Sequence, residues 1–361
     1  MKKNIFIIDD SALMRRVLSD IINSDKRFHA AEFASNGIEA LYIMQQRANE
    51  FDAILLDINM PKMNGIEFLA ELQRQNIKAT VIIVSTIAKK EAKETIRALE
   101  LGAFDFVTKP ESFEEVNSNL FSTRILNLLA QATKMDTGNV NITGFEWNEK
   151  VSSEEKVCRK KRGTSKHGYS KIVAIACSTG GPKALHTVIP ALPANLDAPV
   201  LIVQHMPIGF TKSLADRLNE LSPITVKEAQ HGDLLKKGTV YIAKGGHQMR
   251  LLKNEDGSYY ISVTKEPARR GLLPCADIMY ESLADLEFDQ ITCVVLTGMG
   301  GDGTAGISKL YKSKNIYVIA QNEETSVVYG MPKVIKEAGL VDEVLPLGAI
   351  SDAIIKNVGV F

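Results

Sequence analysis

Three residue types that together hydrolyse esters stand just after three apolar runs of this chain. Ser178 follows "KIVAIAC" in the stretch "IACSTGGPKAL", His205 follows "LIVQ" in "LIVQHMP", and Asp302 lies a few residues past "ITCVVL" in "VVLTGMGGDG". A serine hydroxyl is a weak nucleophile until a base takes its proton, and a carbonyl under attack needs amide donors aimed at the developing oxyanion. A neutral imidazole at His205 would be that base. Asp302 would orient it and stabilise its charged form, and the glycines after Ser178 would present the amides. Each residue also has an ordinary reading: Ser178 as a helix N-cap, His205 as a polar rim residue, "GGDG" as a turn. Taken together, those readings require three coincidences of the right chemistry at three strand ends. Among the other histidines, His29, His167 and His186 are poorly placed to be the base, whereas His231 and His247 remain as residues that would line the site.

The glycines around Asp302 admit a second reading. Gly298, Gly300 and Gly303 spell G-x-G-x-x-G, and the acidic pair Glu323 and Glu324 follows at about the spacing of a dinucleotide-binding unit. Such a loop holds a pyrophosphate on glycine amides and a helix N-terminus, and an aspartate just before the third glycine would point negative charge at it. The fingerprint also normally opens its domain, whereas this one follows at least three strands and leaves Ser178 and His205 unexplained. Asp302 is therefore expected to belong to the hydrolytic group.

A second constellation lies in the first third of the chain. Asp9 and Asp10 follow "IFII", Asp57 ends "AILLD", Ser85 ends "VIIVS", and Lys109 ends "FDFVTK". In an α/β sheet, ligands gather at the carboxyl ends of the strands. If these strands are neighbours, the clustered carboxylates would repel unless they hold a hard divalent cation, magnesium above all, with the Lys109 ammonium adding positive charge. Such a site would accept a phosphoryl group on one carboxylate. The plainer reading is that Asp10 and Ser11 cap the helix that follows while Asp57 caps a loop.

The elements that must position these groups are legible as alternating runs. From residue 4 to about 129, short apolar stretches ("IFII", "AILL", "VIIV") alternate with helix-period segments ("LMRRVLSDII", "IEFLAEL", "AKETIRALE"). That is the pattern of a doubly wound parallel sheet. A second series, "KIVAIA", "PVLIVQ", "TVYIA", "ITCVVL" and "IYVIA", begins at residue 171. The expected organisation is a domain over 1–129, an interdomain linker over 130–170 and a second α/β domain over 171–361. The linker carries Trp147 and the basic run "RKKRGTSKHGYSK"; a solvated connector is the ordinary reading, a docking segment for an acidic partner the other.

Composition sets the outer bounds. Lys plus Arg and Asp plus Glu balance at 43 each, so the field that favours general nucleic-acid binding is missing. The opening "MKKNIFIIDD" has the lysines of a signal peptide, but its apolar run is cut short by Asp9 and reads as a buried strand. No apolar run has the length to cross a bilayer, and Cys158, Cys177, Cys275 and Cys293 have neither metal-ligand spacing nor disulfide-framework density. A cytoplasmic protein with reduced thiols, no nucleic-acid partner and no membrane insertion is expected.

The motifs "IIDDS", "LLDINMPKMNGIEFL", "VIIVST" and "GAFDFVTKP" resemble those of response-regulator receiver domains. The resemblance implies a flavodoxin-like domain in which Asp57 is the phosphoacceptor and Asp9 and Asp10 hold Mg2+ with help from the Asn59 carbonyl. It further implies that Ser85 contacts the phosphoryl group, that Lys109 pairs with it, that Phe106 occupies the switch position and that a cis bond precedes Pro110.

From residue 171 onward, "STGGP", "IVQHMPIGFTKSLADRLN", "VYIA", "VLTGMGGDGTAGI" and "TSVVYGMP" resemble the catalytic domain of CheB-type chemotaxis methylesterases, whose order of receiver, linker and esterase is repeated here. The resemblance implies a mainly parallel-sheet domain with a Ser178, His205, Asp302 triad, Met299 by the oxyanion site and Thr179 arranging serine and histidine. It also implies a phosphorylation-gated hydrolase that demethylates, and deamidates, methyl-accepting chemotaxis receptors, takes its phosphoryl group from a chemotaxis histidine kinase and needs no cofactor for hydrolysis. The chain departs from the family's usual residues at Ala176, Cys177, Lys244 and Cys275, changes expected to bear on the substrate groove rather than the triad. A receiver with a binding-only output domain, or a related esterase acting outside chemotaxis, is the alternative.

Overall fold

The computed structural model describes residues 1–110, 119–135 and 171–361. The chain divides into two compact units, residues 1–140 and 141–361. Most of the segment expected as a linker, with Trp147 and the basic run, lies outside the described residues.

In the first unit, strands β1 (Lys3–Ile8), β3 (Ala53–Asp57) and β4 (Val81–Ser85) are almost continuous apolar runs because both faces of a parallel sheet are covered by helices. With β2 (Phe28–Ala34) and β5 (Asp105–Thr108) they form a five-stranded parallel sheet in the order β2-β1-β3-β4-β5. Helices α1 (Ala12–Ser24), α2 (Gly37–Arg47), α3 (Gly65–Arg74), α4 (Lys89–Glu100) and α5 (Asn119–Ala132) alternate with the strands or follow them. Ser11 caps α1 by accepting the Met14 amide, and Asn64 with Glu67 closes a capping box on α3. The helix-capping reading therefore holds for Ser11, alongside the acidic cluster rather than instead of it. α5 runs past residue 129 to Ala132. The order reverses between β1 and β3, which opens a crevice where Asp9, Asp10 and Asp57 leave the sheet.

The second unit is built on a seven-stranded parallel sheet in the order β15-β14-β13-β6-β7-β10-β8. Its central strands are β6 (Lys171–Cys177), β7 (Val200–Gln204), β10 (Thr239–Ile242) and β13 (Gln290–Val295), followed outward by β14 (Ile316–Gln321). All five come from the apolar runs seen in the sequence. The shorter edge strands β8 (Thr225–Glu228) and β15 (Glu343–Leu345), and a three-stranded antiparallel sheet of β9 (Asp233–Leu234), β11 (Gln248–Lys253) and β12 (Tyr259–Thr264), are additions that the reading for long runs did not anticipate.

Helices α6 (Gly181–Val188), α7 (Phe210–Leu221), α8 (Ala276–Ser282), α9 (Thr304–Ser313), α10 (Met331–Glu337) and α11 (Ile350–Val358) accompany the strands. One core gathers inward side chains of β6, β10, β13 and β14 with Met279, Tyr280, Leu283 and Ile307. The first strand, β6, lies between β7 and β13, so the chain winds outward on both sides of it. Among the described residues, no helix is long and apolar enough to cross a membrane.

Candidate active site and phosphoacceptor site

The register of β6 sets the geometry of the hydrolytic group. Cys177 pairs with Gln204 on β7 and Ala176 with Val295 on β13. Ser178 and His205 therefore leave adjacent strands at one level, about 5 Å apart as neighbouring strands are. The Ser178 amide donates to the Thr297 carbonyl at 3.0 Å, tying the turn after β6 to the chain leaving β13. Ser178 is half-buried and lies three residues before the start of α6, whose N-terminal dipole favours negative charge. Thr179 is buried, and its carbonyl accepts the Thr297 hydroxyl at 3.0 Å.

His205 Nε2 lies 2.8 Å from Asp302 Oδ2. Asp302 is buried and also accepts the amides of Ala276 at 2.6 Å and Asp277 at 3.0 Å, and the Cys275 thiol at 3.1 Å. Burial alone would raise its pKa, but the hydrogen bond and charge of His205, with the two amides, hold the carboxyl below the usual carboxylate range. With Nε2 turned to Asp302, Nδ1 is the nitrogen left for Ser178. Among the described residues no hydrogen bond joins Ser178 Oγ to the imidazole, a looseness common in resting sites.

The nucleotide reading fails on the same loop. Gly303, at φ 94°, begins the turn into α9, and its amide donates to Asp277 Oδ1 at 3.0 Å; the Gly306 amide donates to the same oxygen at 2.8 Å. Of the amides that would cradle a pyrophosphate, that of Gly303 is thus taken by a buried carboxylate, and that of Gly298 donates to the Val328 carbonyl at 3.0 Å. Asp277 was not singled out in the sequence, although "PCAD" contains it. Cys275, expected to touch only the groove, instead contacts the candidate triad acid. The reason is the fold: the turn into α8 lies against the turn into α9. Cys177 is fully buried with its thiol toward the Val203 carbonyl, and burial pushes its pKa up, as suits a packing residue.

His247 Nδ1 is 3.0 Å from the Gly245 carbonyl in the loop after β10, and His231 stacks edge-on to Tyr260. Met299 is half-buried in the loop between Gly298 and Asp302.

In the first unit, ligand oxygens of Asp9, Asp10 and Asp57 lie within 4.8 Å of one another. Lys109 Nζ stands 2.9 Å from Asp9 Oδ2 and 2.8 Å from Asp57 Oδ2. The Asp9 and Asp57 side chains are buried, and Asp10 is exposed. Burial raises the Asp57 pKa to about 6, against the pull of Lys109 and the Asn59 amide. Burial would lower the Lys109 pKa, but Asp57 and Asp9 together raise it.

Asp9 Oδ2 is buried without an aligned hydrogen bond although the ammonium is close. An underused anionic oxygen beside two further carboxylates, all hard donors, fits a magnesium ion. The Ser85 hydroxyl is buried, accepts from Thr95 Oγ1 at 2.9 Å and donates to the Thr86 carbonyl at 3.3 Å. Phe106 is buried in β5. Among the described residues the cis peptide bond precedes Pro274, not Pro110. Cis and trans differ by only about 0.5–1 kcal/mol before proline, so local sequence alone does not select the isomer.

Residues 173–354 match the family described as CheB methylesterase, and residues 5–121 match the response regulator receiver domain. The chain is 39% identical over 359 residues to protein-glutamate methylesterase/protein-glutamine glutaminase 1 of Syntrophomonas wolfei, covering 98% of this chain and 99% of that protein. It is 38% identical over 357 residues to a protein of the same description from Pyrococcus abyssi, covering 99% of this chain and 94% of the relative. The crystal structure of the Thermotoga maritima CheB methylesterase catalytic domain is similar at 44% identity and a TM-score of 0.50, over 52% of this chain and 99% of that one.

Proposed function

The chain belongs to the CheB methylesterase family, with a receiver domain on the same polypeptide, and from that premise we propose that Ser178, His205 and Asp302 carry its hydrolytic chemistry. The activity is that of a protein-glutamate methylesterase and protein-glutamine glutaminase. The observation that carries the residue assignment is the 2.8 Å pair between His205 Nε2 and the enclosed Asp302 carboxylate, beside the strand whose end leads into Ser178.

Ser178 Oγ attacks the γ-glutamyl ester carbonyl as its proton passes to His205 Nδ1. The tetrahedral oxyanion forms at the positive end of α6, with Thr179 and Met299 supporting the site. The proton is then delivered to the departing oxygen, methanol leaves, and water attacks the acyl-enzyme with His205 again as base. A glutamine side chain follows the same course with ammonia as the leaving group. Asp302 stays anionic throughout and holds the imidazole in one tautomer. None of these steps calls on a cofactor.

In the receiver, Asp57 is the phosphoacceptor. Asp9, Asp10, Asp57 and the Asn59 carbonyl are the residues that would hold magnesium, which when bound neutralises phosphoryl oxygens. Lys109, already between Asp9 and Asp57, pairs with the added charge, and Ser85 turns its hydroxyl from Thr86 to meet it. The substrates are methyl-accepting chemotaxis receptors and the phosphodonor is a chemotaxis histidine kinase, so the protein works in the cytoplasm. Phosphorylation shifts the equilibrium towards the form in which the catalytic site is open.

Methanol release from methylated chemoreceptor fragments tests this directly. Wild-type protein releases methanol faster with a small phosphodonor, and Ser178→Ala lowers turnover by about a millionfold. Release that does not depend on Ser178 removes the triad assignment. Its absence from folded wild-type protein, with receptors from the same source, favours a binding-only output domain.

A further inference from the structure

β7 ends at Gln204, whose side chain is 2% exposed. Its Nε2 donates to two backbone carbonyls, that of Ser178 at 3.0 Å and that of His205 at 3.3 Å. One flat carboxamide thus spans the ends of two adjacent strands, at the level where Cys177 pairs with Gln204. Its other end is unsatisfied: Oε1 is buried without a hydrogen-bond partner among the described residues. That oxygen faces Gly181, where a Cβ would lie 1.9 Å from it.

A buried carbonyl oxygen without a donor costs free energy, and a methionine of similar length would fill the space without that cost. What the carboxamide adds is its donor end. No direct hydrogen bond between Ser178 and His205 is present among the described residues, so their relative aim rests on the backbone that carries them. We propose that Gln204 is a positioning residue that fixes the spacing and aim of Ser178 and His205 by holding both of their carbonyls, and that Gly181 is the space that admits it. The inference rests on the assignment of Ser178 and His205 as nucleophile and base. Gln204 touches neither substrate nor reacting atom in this arrangement; it acts through the two residues that do.

The test uses the full-length protein with phosphodonor, comparing wild type, Gln204→Met, Gly181→Ala and the double variant. The readouts are kcat and KM for methyl-ester hydrolysis per folded molecule, and the rate at which a fluorophosphonate probe labels Ser178. Gln204→Met is expected to lower kcat about a hundredfold, the scale of a misplacement near 1 Å, with KM within about twofold. Gly181→Ala, whose Cβ would meet Oε1 at 1.9 Å and Cys177 Cβ at 3.0 Å without touching the triad, is expected to lower kcat and labelling in the same way. Because both act chiefly on the Gln204 carboxamide, the double variant is expected to be no worse than the stronger single one.

An unchanged kcat in folded Gln204→Met, a loss confined to KM, or losses that multiply in the double variant would overturn the clamp. If Gln204→Met does not fold, Gly181→Ala decides: labelling at the wild-type rate overturns it, slowed labelling supports it. Wild-type protein lacking Ser178-dependent turnover would overturn the underlying assignment instead, so the two failures are distinguishable.

Discussion

Asp302 accepts from an imidazole, two backbone amides and a thiol, and that environment fixes which protonation event the reaction can report. Its carboxyl is held below the usual carboxylate range, so it remains ionised at every pH above the ordinary carboxylate pKa. The stability it contributes is present above the ordinary carboxylate pKa of about 3.9 and is lost only as the pH falls through the depressed value. Asp302 is therefore expected to contribute no proton uptake to the pH profile of log kcat/KM above about pH 4. A 13C carboxyl resonance of Asp302 that titrates above that pH would show that the carboxyl is not held down. Asp302→Asn keeps the size but offers the wrong partner to Nε2, and kcat is expected to fall about 10⁴-fold, as in serine proteases. Single-turnover kinetics on the variant would check this.

Helices α8 and α9 cap each other. Asp302, just before α9, accepts the amides of Ala276 and Asp277 at the start of α8; Asp277 returns the arrangement by accepting the amides of Gly303 and Gly306 at the start of α9. Burial, then the nearby Asp302 charge, raises the Asp277 pKa, so the charge itself is a cost that the amide bonds offset. Both of these bonds use Oδ1, an atom asparagine retains. Asp277→Ala is expected to destabilise the catalytic unit by about 2–3 kcal/mol, a lost cap plus orphaned buried amides, and Asp277→Asn by less than about 1 kcal/mol. Urea unfolding followed through that unit's transition measures both. Equal losses for the two variants would show that the charge, not the acceptor, holds the turns.

One chain carries both a receiver domain and a CheB methylesterase domain, and this fusion makes gating testable. Asp57→Asn is expected to abolish stimulation by phosphodonor while leaving Ser178-dependent basal turnover; stimulation equal to wild type would remove the gate. The same variant relieves crowding of buried carboxylates around one ammonium, since Lys109 keeps Asp9 as its partner. In chelator the receiver transition is expected to melt higher, on the order of 4 °C for each kcal/mol gained. Differential scanning calorimetry with and without magnesium reads this change, and an unchanged or lower midpoint in chelator would count against carboxylate crowding.

Much of the architecture was legible because parallel sheets leave long apolar runs with polar residues where each run stops. The five central strands of the second unit and the strand ends bearing Asp9, Asp57, Ser178 and His205 are of this kind. Short edge strands such as β8 and β15 carry too few buried positions to stand out. The sequence by itself determined the residue types, their placement at strand ends and hence the candidate chemistry. Tertiary structure alone decided that Cys275 and Asp277 lie against the Asp302 turn and that Gln204 reaches two carbonyls. It also decided that the amide of Gly303, the last glycine of the G-x-G-x-x-G run, donates to a carboxylate. Those contacts join segments about 25 residues apart in the chain, or span neighbouring strands. Side-chain direction across such gaps is set by packing, to which a local pattern of residue types is blind.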